Sequence, residues 1–313
     1  MPRNSSEAAS GAGTVLFALA IAGAAACQRR PVVLTPDAEP VTVIAAVGFY
    51  HPENLVYDSV ADVYLVSNTG GGGSADDGNG FISRVAPDGK VLDLRWIASG
   101  VGDVTLDSPK GLAIRGDTLA VADLDRVRLF DRRNGKPLRT IPVGGVALND
   151  IVVAEDGGMW ITDMGPSRDS TPVDTTHGVD AVWHVSPDGT VRAAARGLSL
   201  DRPNGIVLDH GDVLVATFGA NRLDRIRPGS TIAPTMAFDL PAGRLDGVHR
   251  MRDGSLLVTS WDGRVVWRLM PNGYLRRVLV DVVSPAGIAV DTKRHLLAVT
   301  SFQTNKLYLV PLA

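Results

Sequence analysis

The sequence predicts an all-β fold, a six-bladed β-propeller built from four-stranded blades. Three observations predict it. A short phrase recurs six times, as HPENLVYD (51–58), SPKGLAIR (108–115), ALNDIVVA (147–154), RPNGIVLD (202–209), RLDGVHRM (244–251) and SPAGIAVD (284–291). Each copy runs through a short turn into a second apolar stretch: VYLVSN, TLAVADL, GMWITDM, DVLVATF, SLLVTSW and LLAVTSF. Successive third letters of the phrase lie 57, 39, 55, 42 and 40 residues apart, around the roughly 40–45 residues of one propeller blade.

The strands follow in order from the residue types. They are short and rich in Val, Ile and Leu, with Gly, Asp and Asn between them, which is how strands and hairpin turns read. Blade five shows all four as GVHRM, SLLVTSW, RVVWRLM and YLRRVLV, joined by RDG, DG and PNG turns. No amphipathic helical stretch interrupts the series. Blade six supplies only three strands before the last residue: GIAVD, LLAVTSF and KLYLVPL. The run Val41–Val47 (VTVIAAV) is strand-like and has no other place. It is expected to form the outer strand of blade six, closing the ring and removing free edges.

The first forty residues differ in kind. Thr14–Ala26 is a largely apolar run of 13 residues followed by Cys27-Gln28-Arg29-Arg30. That is too short to span a bilayer and suits the core of a signal peptide. Cys27 is the single cysteine. Directly after such a core it suggests acylation in the manner of a bacterial lipoprotein, against ordinary cleavage after Ala-x-Ala. The expected organisation is therefore a signal segment over 1–26, a tether over 27–40 and the propeller over 41–313. The expected location is export, to the periplasm or, through a lipid on Cys27, to the bacterial envelope. The 31 basic and 34 acidic residues give a net charge of −3. No basic stripe marks a nucleic-acid partner.

The chemistry is expected on the third letters: Glu53, Lys110, Asn149, Asn204, Asp246 and Ala286. In a propeller the first strand of each blade lines the central channel, so equivalent positions form a ring at one mouth. Glu53, Asn149, Asn204 and Asp246 bring two carboxylates and two amide oxygens to it. Such a hard-oxygen set suits Ca²⁺, or another oxygen-seeking divalent cation. The ring carries no His or Cys, which argues against zinc or copper. Asn-Gly and Asp-Gly also form turns, but four donors in register are more than turns require. Lys110 either meets an anionic substrate group, pairs with Glu53, or extends its ammonium to water. Asp150, beside Asn149, is read as a ligand-orienting or substrate-contacting group.

The ends of the second strands are expected at the same mouth: Asn68, Asp123 and Asp163 on blades one to three, Phe218, Trp261 and Phe302 on blades four to six. This gives a wet side and an apolar side, with Asn68, Asp123, Asp163 and Trp261 as substrate contacts. Two long loops, Asn68–Gly80 and Asp163–Asp180, follow strand ends there and read as binding loops. His177 lies in the second of them.

These residues carry a resemblance. Glu53-Asn54-Leu55-Val56-Tyr57-Asp58, Asn149-Asp150 with Gly158-Met159-Trp160, Pro203-Asn204-Gly205 and Asp246-Gly247 resemble the motifs of the senescence-marker-protein/gluconolactonase family, which includes regucalcin. More distantly the chain looks like diisopropyl fluorophosphatase and the paraoxonases. The resemblance covers about residues 45–313. It implies a divalent ion, usually calcium, on those four residues. It also implies hydrolysis of lactones or related esters, with Asp246 as base or nucleophile, and a small-molecule substrate. Asn54 stands where the family has Gly-Pro, and Ala286 leaves blade six without a polar group. The competing reading is a non-catalytic exported propeller that binds a ligand or protein around a structural calcium. Lyase chemistry is disfavoured because the ring has no histidine.

Overall fold

The computed structural model describes Met1, residues 33–34, 41–71, 76–168, 173–176, 178–229 and 233–312. The signal segment, most of the tether and His177 lie outside the described residues. Among the described residues no helix is long and apolar enough to cross a membrane, and one turn of 3₁₀ helix, Leu198–Leu200, interrupts the strands.

Six antiparallel sheets form six blades. Their inner strands are Pro52–Asp58, Pro109–Arg115, Leu148–Val153, Pro203–Asp209, Leu245–Arg250 and Pro285–Asp291, the six copies of the phrase. Each inner strand pairs with the apolar run that follows it, and the third and fourth strands follow outward. The fourth strand of blade six is Thr42–Ile44, with Thr42 opposite Leu309, Val43 opposite Tyr308 and Ile44 opposite Leu307. The closure is as expected, but the strand is shorter than Val41–Val47. Ala46 (φ 57) and Gly48 (φ 98) turn the chain out of the extended conformation. Within the stretch read as a tether, Val33–Leu34 add a two-residue parallel strand beside Leu275–Val280 of blade five.

The apolar core divides among the interfaces between blades. Ala120, Val127, Ile151, Ile161 and Val185 pack blade two on blade three. Leu214, Leu223, Leu245 and Val258 pack four on five. Ile44, Leu55, Tyr64, Leu307 and Leu309 pack six on one. Side chains on both faces of each sheet are therefore buried, which is why the second strands read as near-continuous apolar runs. Charge fastens neighbouring blades at the far ends of the inner strands. Arg132 of blade two holds Asp58 of blade one at 2.7 Å, and Arg250 of blade five holds Asp209 of blade four.

Every inner strand carries the same irregularity. The pairing register slips between the second and fifth letters of the phrase in all six blades. This is a bulge, which re-aims a side chain and bends the strand. The third letter sits inside it, so the backbone itself turns the ring residues toward the axis. Second-strand hydroxyls satisfy the displaced backbone. Ser67 accepts from the Asn54 N–H at 3.0 Å, Thr162 from Asp150 at 2.9 Å and Thr259 from Gly247 at 2.7 Å. Thr300 donates to the Glu53 carbonyl at 2.9 Å. The fourth letter is glycine in four blades because the bulges nearly touch. A Cβ on Gly111 would stand 2.6 Å from Asp150 Cα, and one on Gly287 2.5 Å from Asn54 Cα.

Candidate active site

The ring forms where the bulges place it. Glu53, Lys110, Asn149, Asn204 and Asp246 are all buried, between 2 and 5 % exposed, and Ala286 is sealed at 0 %. Asn149 Nδ2 donates to Glu53 Oε1 at 3.1 Å, joining blades one and three across the channel. The same amide contacts Met164 Sδ at 3.1 Å, and Asn204 Nδ2 reaches that sulfur at 3.8 Å. Met164 thus turns both amide nitrogens to one side. Asp246 Oδ2 accepts from Trp261 Nε1 at 2.9 Å.

Two ring oxygens, Glu53 Oε2 and Asn204 Oδ1, are sealed from solvent and have no hydrogen-bond partner among the described residues. Buried polar atoms are nearly always paired, so these two ask for a donor or a cation. The donor set is carboxylate plus amide oxygen. Among the described residues no three His, Cys, Asp or Glu converge on one point. Hard oxygens of mixed charge fit calcium, which takes carboxylate and amide oxygens together, and Glu53, Asn149, Asn204 and Asp246 are the residues that would hold it.

Burial sets the electrostatics. Desolvation pushes Glu53 up to about 7, against the Lys110 charge, with Asp150 adding to the rise. Desolvation and the negative charges of Glu53 and Asp150 hold Asp246 well above the carboxylate range, opposed by the Trp261 hydrogen bond and by Lys110. Burial lowers Lys110, opposed by Glu53, Asp163 and Asp246. Three acids and a lysine share one desolvated space, and each acid gives up its proton less readily there than in water.

Beneath the ring lies a polar floor. Asn54 Nδ2 donates to Asp150 Oδ1 at 2.8 Å, and Asp150 Oδ2 accepts from the Ile206 N–H at 3.1 Å. Asp150 Oδ1 also accepts from the Ile151 N–H at 2.8 Å. Both oxygens of Asp150 are engaged, so of the two roles expected for it, orienting or contacting, the geometry favours support from beneath the ring. Asn54 is a site residue that sequence reasoning passed over. Its signal is that it and Asp150 break the run of glycines at the fourth letter. Below the floor the channel opens into a chamber of ≈ 320 Å³ lined by residues such as Leu112, Val152, Ile206 and His249.

Asn68, Asp123 and Asp163 also depart from the substrate-contact expectation. All three are 0 % exposed. Asn68 Oδ1 accepts from the Tyr50 N–H at 3.0 Å. Asp123 Oδ1 accepts from the Asp107 and Ser108 N–H groups at 3.0 and 2.7 Å, and its Oδ2 holds Arg128. Asp163 accepts from the Val146, Ala147 and Gly165 N–H groups and from Trp183 Nε1. These side chains anchor the segments that lead into the inner strands of their own blades, and their oxygens are committed to that task among the described residues.

The apolar side exists and is larger than expected. Phe218 meets Trp261 edge to face, with centroids 5.1 Å apart, and Trp261 lies 5.8 Å from Phe302. Phe302 stacks on His51 at 4.8 Å, and His51 on Tyr50 at 4.9 Å. Five rings make an arc from blade four to blade one. Arg202 and Arg244 lie over its Phe218 and Trp261 members, at 5.2 and 5.8 Å. His51, Arg202 and Arg244 occupy the position before their inner strands, and all three have positive φ. That costly conformation turns them onto the mouth.

The fold and ring define the class: a six-bladed propeller with a buried polar site at one mouth of its channel. The chain belongs to the SMP-30/Gluconolactonase/LRE-like family, whose model matches residues 94–303. The match includes Lys110, Asn149, Asn204 and Asp246, and Glu53 precedes it. Among curated proteins there is no match. Solved structures share the fold. A gluconolactonase from Xanthomonas campestris is 20% identical with a TM-score of 0.65, over 87% of this chain and 90% of that one. A luciferin-regenerating enzyme is 16% identical with a TM-score of 0.63, over 88% and 96%. A virginiamycin B lyase from Staphylococcus aureus is 14% identical with a TM-score of 0.58, over 88% and 99%.

Proposed function

We propose that the protein is a calcium-dependent hydrolase of lactones or related esters, acting at the mouth where the ring lies. The observation that carries this reading is the pair of sealed, partnerless oxygens, Glu53 Oε2 and Asn204 Oδ1, in a ring that also presents Asp246. Family membership supports lactonase-type chemistry. A cation held by Glu53, Asn149, Asn204 and Asp246 supplies Lewis acidity toward the substrate carbonyl. The chain's own residues do the rest. In one route Asp246 takes the proton of the attacking water, whose oxygen bonds the carbonyl carbon as the acyl C–O bond breaks, and the proton passes to the departing alkoxide. In the other, Asp246 itself attacks the carbonyl carbon, the acyl C–O bond breaks to release the alcohol, and water then cleaves the acyl–Asp246 anhydride to free the acid. Trp261 fixes the Asp246 carboxylate through Oδ2. The Asn54–Asp150 floor closes the channel beneath the reacting atoms, and the aromatic arc gives the apolar part of the substrate a dry wall.

The apolar segment 14–26 and Cys27 support export, either with a lipid on Cys27 holding the protein to the envelope or with ordinary cleavage after Ala-x-Ala releasing it.

Asp246→Asn tests the function. The variant keeps an oxygen on the ring and the bond to Trp261 but has neither base nor nucleophile. Turnover of lactones is expected to fall by at least ~10², while calcium affinity falls modestly and the melting temperature holds. Full turnover in Asp246→Asn, or wild-type turnover indifferent to chelator, overturns the assignment. Catalytic silence across lactone and ester panels, with calcium bound, favours the ligand-binding propeller instead.

A further inference from the structure

Lys110 is the one cation on the ring, and nothing in the reading above uses it. Its side chain is drawn into the channel at 5 % exposure. Three carboxylates lie near enough for their charge to act on it, those of Glu53, Asp163 and Asp246, together with the Arg202 guanidinium. None of the three pairs with it. Glu53 Oε1 is taken by Asn149, Asp246 Oδ2 by Trp261, and the Asp163 oxygens by three backbone N–H groups and Trp183. Among the described residues the ammonium has no hydrogen bond and no ion pair, yet it is not among the sealed partnerless atoms. It therefore keeps a small opening to the mouth.

A desolvated cation without a partner is costly. The cost rises when a divalent cation sits on the same ring, because the two positive charges repel in a poorly screened space. An anion between them removes both costs. The ring has no further carboxylate to give, since blade six contributes Ala286 and the Asp150 oxygens are taken by the floor. The anion must come with the ligand. Opposite Lys110, on blades four to six, stands the aromatic arc, which offers stacking area and no acceptor charge.

We propose that Lys110 receives a carboxylate of the substrate, so that the site takes a carboxylate-bearing lactone or ester whose apolar remainder lies on the Phe218–Trp261–Phe302 arc. The proposal rests on the hydrolase reading of the ring for the lactone or ester part. The anion receptor stands on the geometry of Lys110 alone. Lys110 is a specificity residue here, and the bond broken is the acyl C–O bond of the lactone or ester.

The experiment separates the two parts. Calcium-loaded wild type, Lys110→Met and Lys110→Arg are assayed with 5-oxotetrahydrofuran-3-carboxylate and with its neutral carboxamide. Binding of 3-phenylpropionate and 3-phenylpropionamide is followed in parallel by tryptophan fluorescence, which needs no turnover. A charge-assisted hydrogen bond in a buried site is worth on the order of ten- to a hundredfold in affinity. Wild type is expected to favour each carboxylate over its amide by that factor, in KM and in Kd. Lys110→Met loses the preference and Lys110→Arg keeps most of it. Lys110→Met is also expected to melt no lower than wild type, since it removes a buried unpaired charge, so a folding defect is not the cause of the loss. Lactone turnover without a Lys110-dependent preference overturns the proposal and leaves the hydrolase intact. Lys110-dependent binding of phenylpropionate with no turnover of either lactone overturns the hydrolase and leaves the anion receptor. Equal loss of acid and amide in Lys110→Met makes Lys110 structural and sinks the inference.

Discussion

Glu53 shows how burial can make a ligand conditional. Its carboxyl is pushed up to about 7 by desolvation, so below neutrality it holds its proton in the metal-free fold. A cation binds the deprotonated form, and binding releases that proton. The sign follows: a raised acid pKa weakens metal binding below that pKa and leaves it unopposed above. Calcium affinity is expected to rise at least ~tenfold between pH 6 and pH 8 and to flatten once Glu53 is ionised. Isothermal titration at the two pH values, with Glu53→Gln as control, checks it. An affinity independent of pH across that range takes Glu53 off the metal. That Glu53, Asn149, Asn204 and Asp246 share one ring was legible in the sequence because a repeat fixes register, and register fixes direction. The roles of Asn68, Asp123 and Asp163 were not. A polar residue at a strand end can face a pocket or hold the backbone that leads into its blade's inner strand, and the two uses have the same spelling. Only the hydrogen bonds to Tyr50, to Asp107 and Ser108, and to Val146 and Ala147 tell them apart.

At the scale of the strand, the bulge is the element that makes the site. It places a side chain under a fixed backbone, and it requires that neighbouring bulges pass close together. Gly111 is where blades two and three approach, its added Cβ falling 2.6 Å from Asp150 Cα and 2.7 Å from the Ile151 nitrogen. Backbone on both sides leaves nothing flexible to yield. Gly111→Ala is expected to cost about 1–3 kcal/mol by overpacking. The loss is read as a lower denaturant midpoint, and the displaced floor should weaken calcium binding as well. A variant as stable as wild type would show that the blades separate more easily than the contact implies. The bulge itself was not visible in the sequence, though its traces were. Glycine at the fourth letter in four blades, and the second-strand hydroxyls of Ser67, Thr162, Thr259 and Thr300, are the two halves of one backbone arrangement. Asn54 and Asp150 replace that glycine where the channel needs a floor.

For the whole molecule, the decisive feature is closure between Thr42–Ile44 and Lys306–Pro311. Ile44 is 7 % exposed and packs in the cluster of Leu55, Tyr64, Leu307 and Leu309. Ile44→Ala therefore removes side-chain contacts shared by blades six and one. It is expected to lower stability by about 2–5 kcal/mol, seen as a fall in melting temperature in the absence of calcium. An unchanged melting temperature would mean that the latch strand is dispensable. The six blades and their closure were readable because period, turn chemistry and the missing fourth strand of blade six all agreed. The parallel pairing of Val33–Leu34 on blade five was not, since two residues carry no periodicity.

The same latch sets a clock. Thr42 precedes its partner Leu309 by 267 residues in the chain, so five blades can form while the sixth still waits. Glu53 waits with it, because its carbonyl is held by Thr300 of the final blade, 247 residues away. Contacts this distant in sequence form slowly, and until they form the ring has a gap between its first and last members. A cation of the kind proposed would therefore meet a finished receptor only at the closing step: it would hold the circle shut, having arrived too late to help draw it.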